Sequence, residues 1–419
     1  MGRGRLPQQK AVKWIVLWLL PAIFLGASAC RGGGDPKPPS LTPETATATV
    51  APATPTATVT PDPLATLPET AAAAMDWVKK AIATSAAGVC PGPIAKAGGA
   101  CIAASASGGS SPDLAILLPV KSRAAVSPAP AIVFAWSASQ QKLTPFSEDL
   151  TADAAPLGAG FFSFEDRTGD GLADISYLQN VCGATGCNSR AVVLSWDGTA
   201  WRDVGPGDSI ANVDAAAWEG AGASSELTMH GGKLPPTAPP ESGPTRASKT
   251  TYTLSGGRFR VDAVVKDPPE YLYHAVEDAD DAFAADPGGS RAAYEEVIAS
   301  TELKDWKLKP GDADRRPSLV GYAMFRLAVI DAALGRDPTA ALDRVIRDSK
   351  EPLFVYLAES FRNGFQARGG VVGGCAEANL YLRTPQGSGT DPGGYVAQLF
   401  NYGYANPPGS RWITRLCPY

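Results

Sequence analysis

Asp166, Thr168, Asp170 and Asp174 fall at positions 1, 3, 5 and 9 of the stretch "DRTGDGLAD", with Gly171 at the point where the chain must turn sharply. This spacing wraps three carboxylates, one hydroxyl and the carbonyl of Leu172 around a common point. A hard cation that takes about six to eight oxygens requires that arrangement, and calcium is the expected occupant. Without a cation the clustered carboxylates would repel one another. The competing reading is a solvated turn capped by its own Asp side chains.

Two features exclude an EF-hand. Tyr177 occupies position 12, where a bidentate Glu is needed, and the flanks "GAGFFSF" and "DISYL" alternate as strands. A strand-flanked loop of this kind resembles the calcium loops of FG-GAP and VCBS repeats, which read D-x-[DN]-x-D-G-x-x-D, with Thr168 standing where Asp or Asn is usual. The resemblance implies a β-repeat domain, either open and propeller-like or a sandwich, in which Asp166, Thr168, Asp170, Leu172 and Asp174 hold a structural calcium. Only the middle of three similar units carries the loop; "GGSSPD" and "GAGASSE" stand at the corresponding points of the others.

The strands that would position this loop are "DLAILLPV", "PAIVFAW", "ADISYL", "RAVVLSW", "AWRDV", "TTYTL" and "RFRVDAVV", each bounded by turn residues. Asp113-Leu114 precedes a tip at Trp136, Asp174-Ile175 one at Trp196, and Glu226-Leu227 one at Leu254, so the tips recur about every 60 residues. In "WDGTAW" and "LSGGRF" an apolar residue returns five positions on, which lets Trp196 face Trp201 and Leu254 face Phe259 across short hairpins. Cross-strand packing is the expected use of these tryptophans, ahead of a sugar-stacking platform. Before the strands, Met75, Val78 and Ile82 share a helical face that stops at Gly88.

Beyond residue 266 the period becomes helical. Helices are expected over residues 271–284, 291–300, 319–334, 339–349 and 353–367. The spacing of Ala323, Leu327, Gly335, Ala341 and Ile346 resembles a tetratricopeptide (TPR) helix pair, which implies an all-α array of helical hairpins that binds partners or braces its neighbour. The fold class is therefore multidomain α+β, with a β-repeat domain over 69–266, including its leading helix, and a helical TPR-like domain over 267–419. On the first of those helices His274, Asp278 and Asp281 share one face. A solvated acidic face is expected there in preference to a metal site.

The N-terminus specifies an address. Arg3, Arg5, Lys10 and Lys13 precede the apolar run "WIVLWLLPAIFL" and then "GASAC", the layout of an export signal over residues 1–29. Cys30 then resembles the acylated cysteine of bacterial lipoproteins, with Ala27 where Leu is usual, while Ala27-Ser28-Ala29 also fits a secretory cleavage site. Of seven cysteines, lipidation of Cys30 leaves six in local pairs: Cys90 with Cys101, Cys182 with Cys187, and Cys375 with Cys417. Disulfides suit an extracytoplasmic compartment, and two histidines provide little for a zinc site. Residues 30–68, rich in Thr, Pro and Ala, form an extended stalk that reaches up to ~100 Å at about 3.1 Å per residue.

Net charge is −5 with no basic tract, which gives nucleic acid no electrostatic hold and leaves lipid as the membrane contact. The sequence carries no G-x-S-x-G elbow, P-loop or H-E-x-x-H. The chain thus reads as a tethered surface lipoprotein that binds or scaffolds a protein or glycan partner, rather than as an enzyme. The alternative is a secreted, glycosidase-like hydrolase with paired carboxylates.

Overall fold

The computed structural model describes Leu64 and residues 67–107, 109–119, 131–146, 154–155, 162–183, 186–307, 312–384 and 391–419. The export signal, Cys30 and nearly all of the stalk fall outside these residues. Residues 61–419 form one compact unit, in which antiparallel sheets precede a helical region.

The first helix, α1 (Ala71–Ala83), is capped by the Thr70 hydroxyl, which accepts from the Ala73 N–H. Its buried face is Ala74, Trp77, Val78 and Ala81, with Met75 and Ile82 at the margin. A short α2 (Gly92–Lys96) follows. The first sheet is a meander of β1 (Ala100–Ala104), β2 (Asp113–Pro119), β3 (Ala131–Ser137) and β4 (Lys142–Pro145). The second contains β5 (Ala154–Ala155), β6 (Phe162–Glu165), β7 (Asp174–Gly183), β8 (Gly186–Trp196), β9 (Trp201–Asp203) and β10 (Ile210–Ala211). The third is again a meander, of β11 (Ala215–Glu219), β12 (Glu226–Gly231), β13 (Ser248–Ser255) and β14 (Arg258–Lys266).

Side-chain alternation explains how these sheets stack. Leu114, Ile116, Leu118, Ile132 and Phe134 face α1, whereas the intervening Ala115, Val133 and Ala135 face Ile175, Tyr177, Val192 and Leu194 of the second sheet. The opposite face of the second sheet, Leu178, Ala191 and Val193, packs on Leu227, Met229, Tyr252 and Phe259 of the third. A strand covered on both faces needs apolar residues at consecutive positions, which is why "AVVL" in β8 runs without alternation. At roughly 1.5–3 kcal/mol per fully buried large apolar side chain, these two inter-sheet layers are a principal source of stability.

The repeat read from the sequence appears in the register. Ala104 pairs with Asp113, Glu165 with Asp174 and Glu219 with Glu226, so the three acids open the second strand of their hairpins at equivalent points. Trp196 does face Trp201, with ring centroids 5.6 Å apart, and Leu254 faces Phe259. Trp196 is buried in this pairing, in keeping with a packing role. The short strands β1, β4 and β11 had no counterpart among the expected strands, because alanine-rich or very short segments carry little β signal.

The helical region comprises α3 (Leu272–Ala285), α4 (Arg291–Ala299), α5 (Arg316–Ala333), α6 (Thr339–Asp348), α7 (Pro352–Arg368), α8 (Gly370–Arg383), α9 (Pro392–Leu399) and α10 (Ser410–Leu416) around one core. The first five lie where the periodicity placed them, and the last three were not expected. Glycines hid α8: a Cβ on Gly364 of α7 would sit 2.2 Å from the Gly373 carbonyl oxygen, so the glycines that resemble a loop in the sequence are what let α7 and α8 approach.

All three expected disulfides form, Cys90–Cys101, Cys182–Cys187 and Cys375–Cys417. They fit an oxidising, extracytoplasmic setting. Cys375–Cys417 ties the C-terminal end to α8 across 42 residues. It also closes over a buried network in which Tyr294 and Tyr322 donate to Asp280, while Arg326 donates to Tyr294 and to the Arg415 carbonyl. Among the described residues no helix is long and apolar enough to cross a membrane.

Candidate functional site

The acidic loop joins β6 to β7, and its backbone ties it to both neighbouring sheets. Ala173 N–H donates to the Ser105 carbonyl of the first sheet's loop at 2.9 Å, and Gly222 N–H of the third sheet's loop donates to the Asp166 carbonyl at 3.1 Å. Gly169 and Gly171 have φ of 80° and 83°. A Cβ on Gly169 would meet the Ala223 nitrogen at 2.4 Å, so glycine is required both for the turn and for the close approach of the third sheet.

Within the loop, Asp166 accepts from Gly169 N–H at 2.6 Å and from Gly171 N–H at 3.0 Å, one on each oxygen. Asp170 accepts from Leu172 N–H at 2.8 Å. Asp174, fully buried, accepts on Oδ2 from Arg167 N–H at 2.7 Å and Thr168 N–H at 2.9 Å. Burial raises the Asp174 pKa, opposed by the Arg167 N–H first and then by the Ser195 hydroxyl and the Thr168 groups nearby. Asp174 Oδ1 and Thr168 Oγ1 are nonetheless buried with no hydrogen-bond partner in normal geometry.

The equivalent aspartate of the first sheet is closed. Asp113 accepts on Oδ2 from Ala106 N–H at 3.1 Å and Ser107 N–H at 2.7 Å, seven and six residues back, as Asp174 does. Its Oδ1 takes the Ser107 hydroxyl at 3.1 Å and Ala138 N–H at 2.8 Å. In the second sheet the Ser195 and Thr168 hydroxyls lie near Asp174 instead, without hydrogen bonds of normal geometry.

Among the described residues no group of three or more His, Cys, Asp and Glu side chains converges as a metal centre. What the loop offers an ion is acceptor capacity at Asp174 Oδ1 and Thr168 Oγ1, both buried without a hydrogen bond of normal geometry. Asp166 and Asp170 turn toward backbone N–H groups, although a carboxylate oxygen with one such bond keeps acceptor capacity.

Sequence reasoning did not anticipate Arg167, which is buried in the middle of this acidic loop. Its guanidinium lies 5.0 Å from the Trp218 ring centroid and donates to Glu165 at 2.5 Å, fastening the loop to the third sheet. A single cation among acids was the available signal.

His274, Asp278 and Asp281 share no common centre, and the face is not simply solvated: His274 is buried, while Lys266 lies near both Asp278 (3.6 Å) and Asp281. His274 Nε2 lies 3.3 Å from the Pro244 carbonyl, Asp278 pairs with Arg246, and Asp281 accepts from Lys266 at 2.7 Å. Burial lowers the His274 pKa to about 4. The other histidine, His230, has Asp214 at 2.6 Å from Nδ1 and Asp267 at 3.2 Å from Nε2, and these carboxylates raise its pKa. Asp305 and Asp314 also interact: burial raises Asp305, the Arg315 N–H opposes this, and the Asp314 carboxylate adds to the rise.

Among the described residues β14 presents an apolar edge. In β14 Val261, Val264 and Val265 are 46%, 56% and 64% exposed, although the strand is paired with β13 along its other side. Comparison with family models, curated proteins and solved structures returns no significant match.

Proposed function

We propose that this protein is a surface-tethered lipoprotein, anchored through Cys30, whose folded part acts as a binding or scaffold module for a protein or glycan partner. The three stacked sheets would form an open, propeller-like array, and the helical hairpins a TPR-like brace. The supporting observation is the β14 edge beyond Phe259, whose own N–H is taken by the Val204 carbonyl at 2.8 Å; that remaining part carries three exposed valines. An exposed apolar edge is a template for an added strand. Its charges indicate the occupant: Arg260 makes no ion pair among the described residues and Asp262 is the strand's one acid, which favours an extended partner segment that alternates β-branched and acidic residues.

The test uses immobilised ten-residue peptides alternating valine and aspartate. Wild-type protein should bind them, and Arg260→Glu and Val264→Lys should each weaken binding at least tenfold. Equal binding by wild type and both variants, or none by wild type, overturns this reading. Mass spectrometry of the mature N-terminus tests the anchor, and an unmodified Cys30 defeats it.

A calcium ion in the β6–β7 loop belongs to the same proposal, held by Asp166, Thr168, Asp170, the Leu172 carbonyl and Asp174. Its support is the pair of orphaned oxygens and the loop's bonds to both flanking sheets. When bound, it would supply positive charge to a buried carboxylate and so fix a turn on which three sheets meet.

A further inference from the structure

The three sheet tips differ in one respect that bears on ligand binding. Trp196 is covered across its hairpin by Trp201 and Leu254 by Phe259, but Trp136 has Leu114 on one side and Leu143 on the other, with no aromatic opposite. Its indole remains partly exposed, on the face of the first sheet that packs α1. The end of α1 and the turn after it do not close over this spot. They leave a cleft of about 480 Å³ with Trp136 and the two leucines among its lining, bordered by Ile82 and Val89.

The polar part of the lining makes this more than a gap in the core. Among the described residues Lys79 has no ion-pair partner and the Ser111 hydroxyl has no hydrogen bond. Gln141, held at φ 52°, donates its amide N–H to the Ala138 carbonyl at 2.8 Å, which leaves Oε1 without a partner. Hydroxyls of a polar ligand could pair with these three groups at the cleft's margin, a gain that an apolar side chain or acyl chain could not make. A ligand with an apolar face and a polar perimeter uses both the indole and that margin. Clefts with an aromatic surface and a few placed polar groups are suited to such ligands.

We propose that this cleft binds a pyranose sugar ring, with the C–H face of the ring on the Trp136 indole and its hydroxyls toward Lys79, Ser111 and Gln141. The site gives the glycan half of the partner reading above a location, and it lies on the first sheet whereas β14 belongs to the third.

The experiment presents the full-length protein with an array of pyranose oligosaccharides in neutral, N-acetylated and uronic forms, followed by saturation-transfer NMR with the retained sugars. At least one class should bind, and Trp136→Ala should weaken it at least tenfold while Trp136→Phe weakens it less. The double variant Lys79→Ala/Gln141→Ala, at two exposed positions, should weaken it about fivefold or more and keeps the test valid should Trp136→Ala fail to fold. Val264→Lys should leave sugar binding within twofold, so that the strand-edge reading and this one fail separately. No retention of any class by wild type, or wild-type affinity in the double variant, overturns the proposal. So does displacement of bound sugar by an apolar peptide that itself binds more tightly through Trp136.

Discussion

Asp113 and Asp174 occupy the same place in successive sheets and differ in how their second oxygen is satisfied. Both are buried, both open the second strand of a hairpin, and both accept two backbone N–H groups from six and seven residues back. In the first sheet the remaining oxygen receives a serine hydroxyl and the Ala138 N–H; in the second, none in normal geometry. One architectural position is thus completed in one unit by well-formed bonds from the protein's own donors, and in the other is met only by the Ser195 and Thr168 hydroxyls in poorer geometry. The open case is also the one whose loop carries Asp166 and Asp170. A buried acceptor without a donor costs on the order of 1–3 kcal/mol, and a cation is one way to recover it.

The largest effect should come from removing the closed carboxylate. Asp113→Ala leaves three buried or half-buried N–H groups without an acceptor. It should cost about 3 kcal/mol in denaturant unfolding, with or without chelator. A loss below about 1 kcal/mol would mean that the first sheet's loop does not depend on this aspartate, and the contrast would fail.

Next comes metal removal. Under the calcium proposal, wild-type protein at roughly 100 times the dissociation constant should gain about 2.7 kcal/mol over chelated protein. Asp174→Asn should abolish that difference, whereas the parallel change Asp113→Asn should leave it intact. Melting curves of the wild type that coincide with and without chelator would remove calcium and restore the capped-turn reading of the loop.

How much of this contrast was legible in the sequence follows from which residues report locally. The spacing of "DRTGDGLAD" and the equivalence of Asp113, Asp174 and Glu226 were readable because they depend on hairpin register, which alternation and turn residues specify over short range. The first five helices were readable from their own local periodicity, and the cysteine pairs from their order along the chain, although Cys375 and Cys417 lie 42 residues apart. What could not be read was which donors fill Asp113: Ala138 is 25 residues away and contributes only its backbone N–H, which any residue type could supply. The seat of Arg167 against Trp218 likewise depends on sheet stacking, and the glycines of α8 meant close packing where composition suggested a loop.

A change inside the open loop sharpens the comparison further. Thr168→Asp places an acid where the FG-GAP loops that this sequence resembles carry Asp or Asn, and adds ligand charge. It should tighten calcium binding roughly tenfold, about 1.4 kcal/mol, in a titration followed by melting temperature. The same variant under chelator should be less stable than wild type, because a fourth carboxylate then joins Asp166, Asp170 and Asp174 without a counter-charge. An equal response in both conditions would place residue 168 outside any ion-binding role.

The smallest effect is the pH response of Asp174 itself. Its folded pKa is raised above the ordinary 3.8, burial being the main cause. Between 3.8 and the folded pKa the native protein therefore holds a proton that the unfolded chain has lost, so under chelator this group adds stability as the pH falls through its folded value. That gain is complete below the unfolded pKa and disappears as the pH rises through the folded one. Asp174→Asn, neutral throughout, should flatten this part of the slope in melts taken at stepped pH. With calcium present the proposal predicts the reverse dependence, since protonation would then expel the ion and acidification would destabilise. A wild-type slope unchanged in the asparagine variant under chelator would show that the open oxygen of Asp174 does not govern the loop.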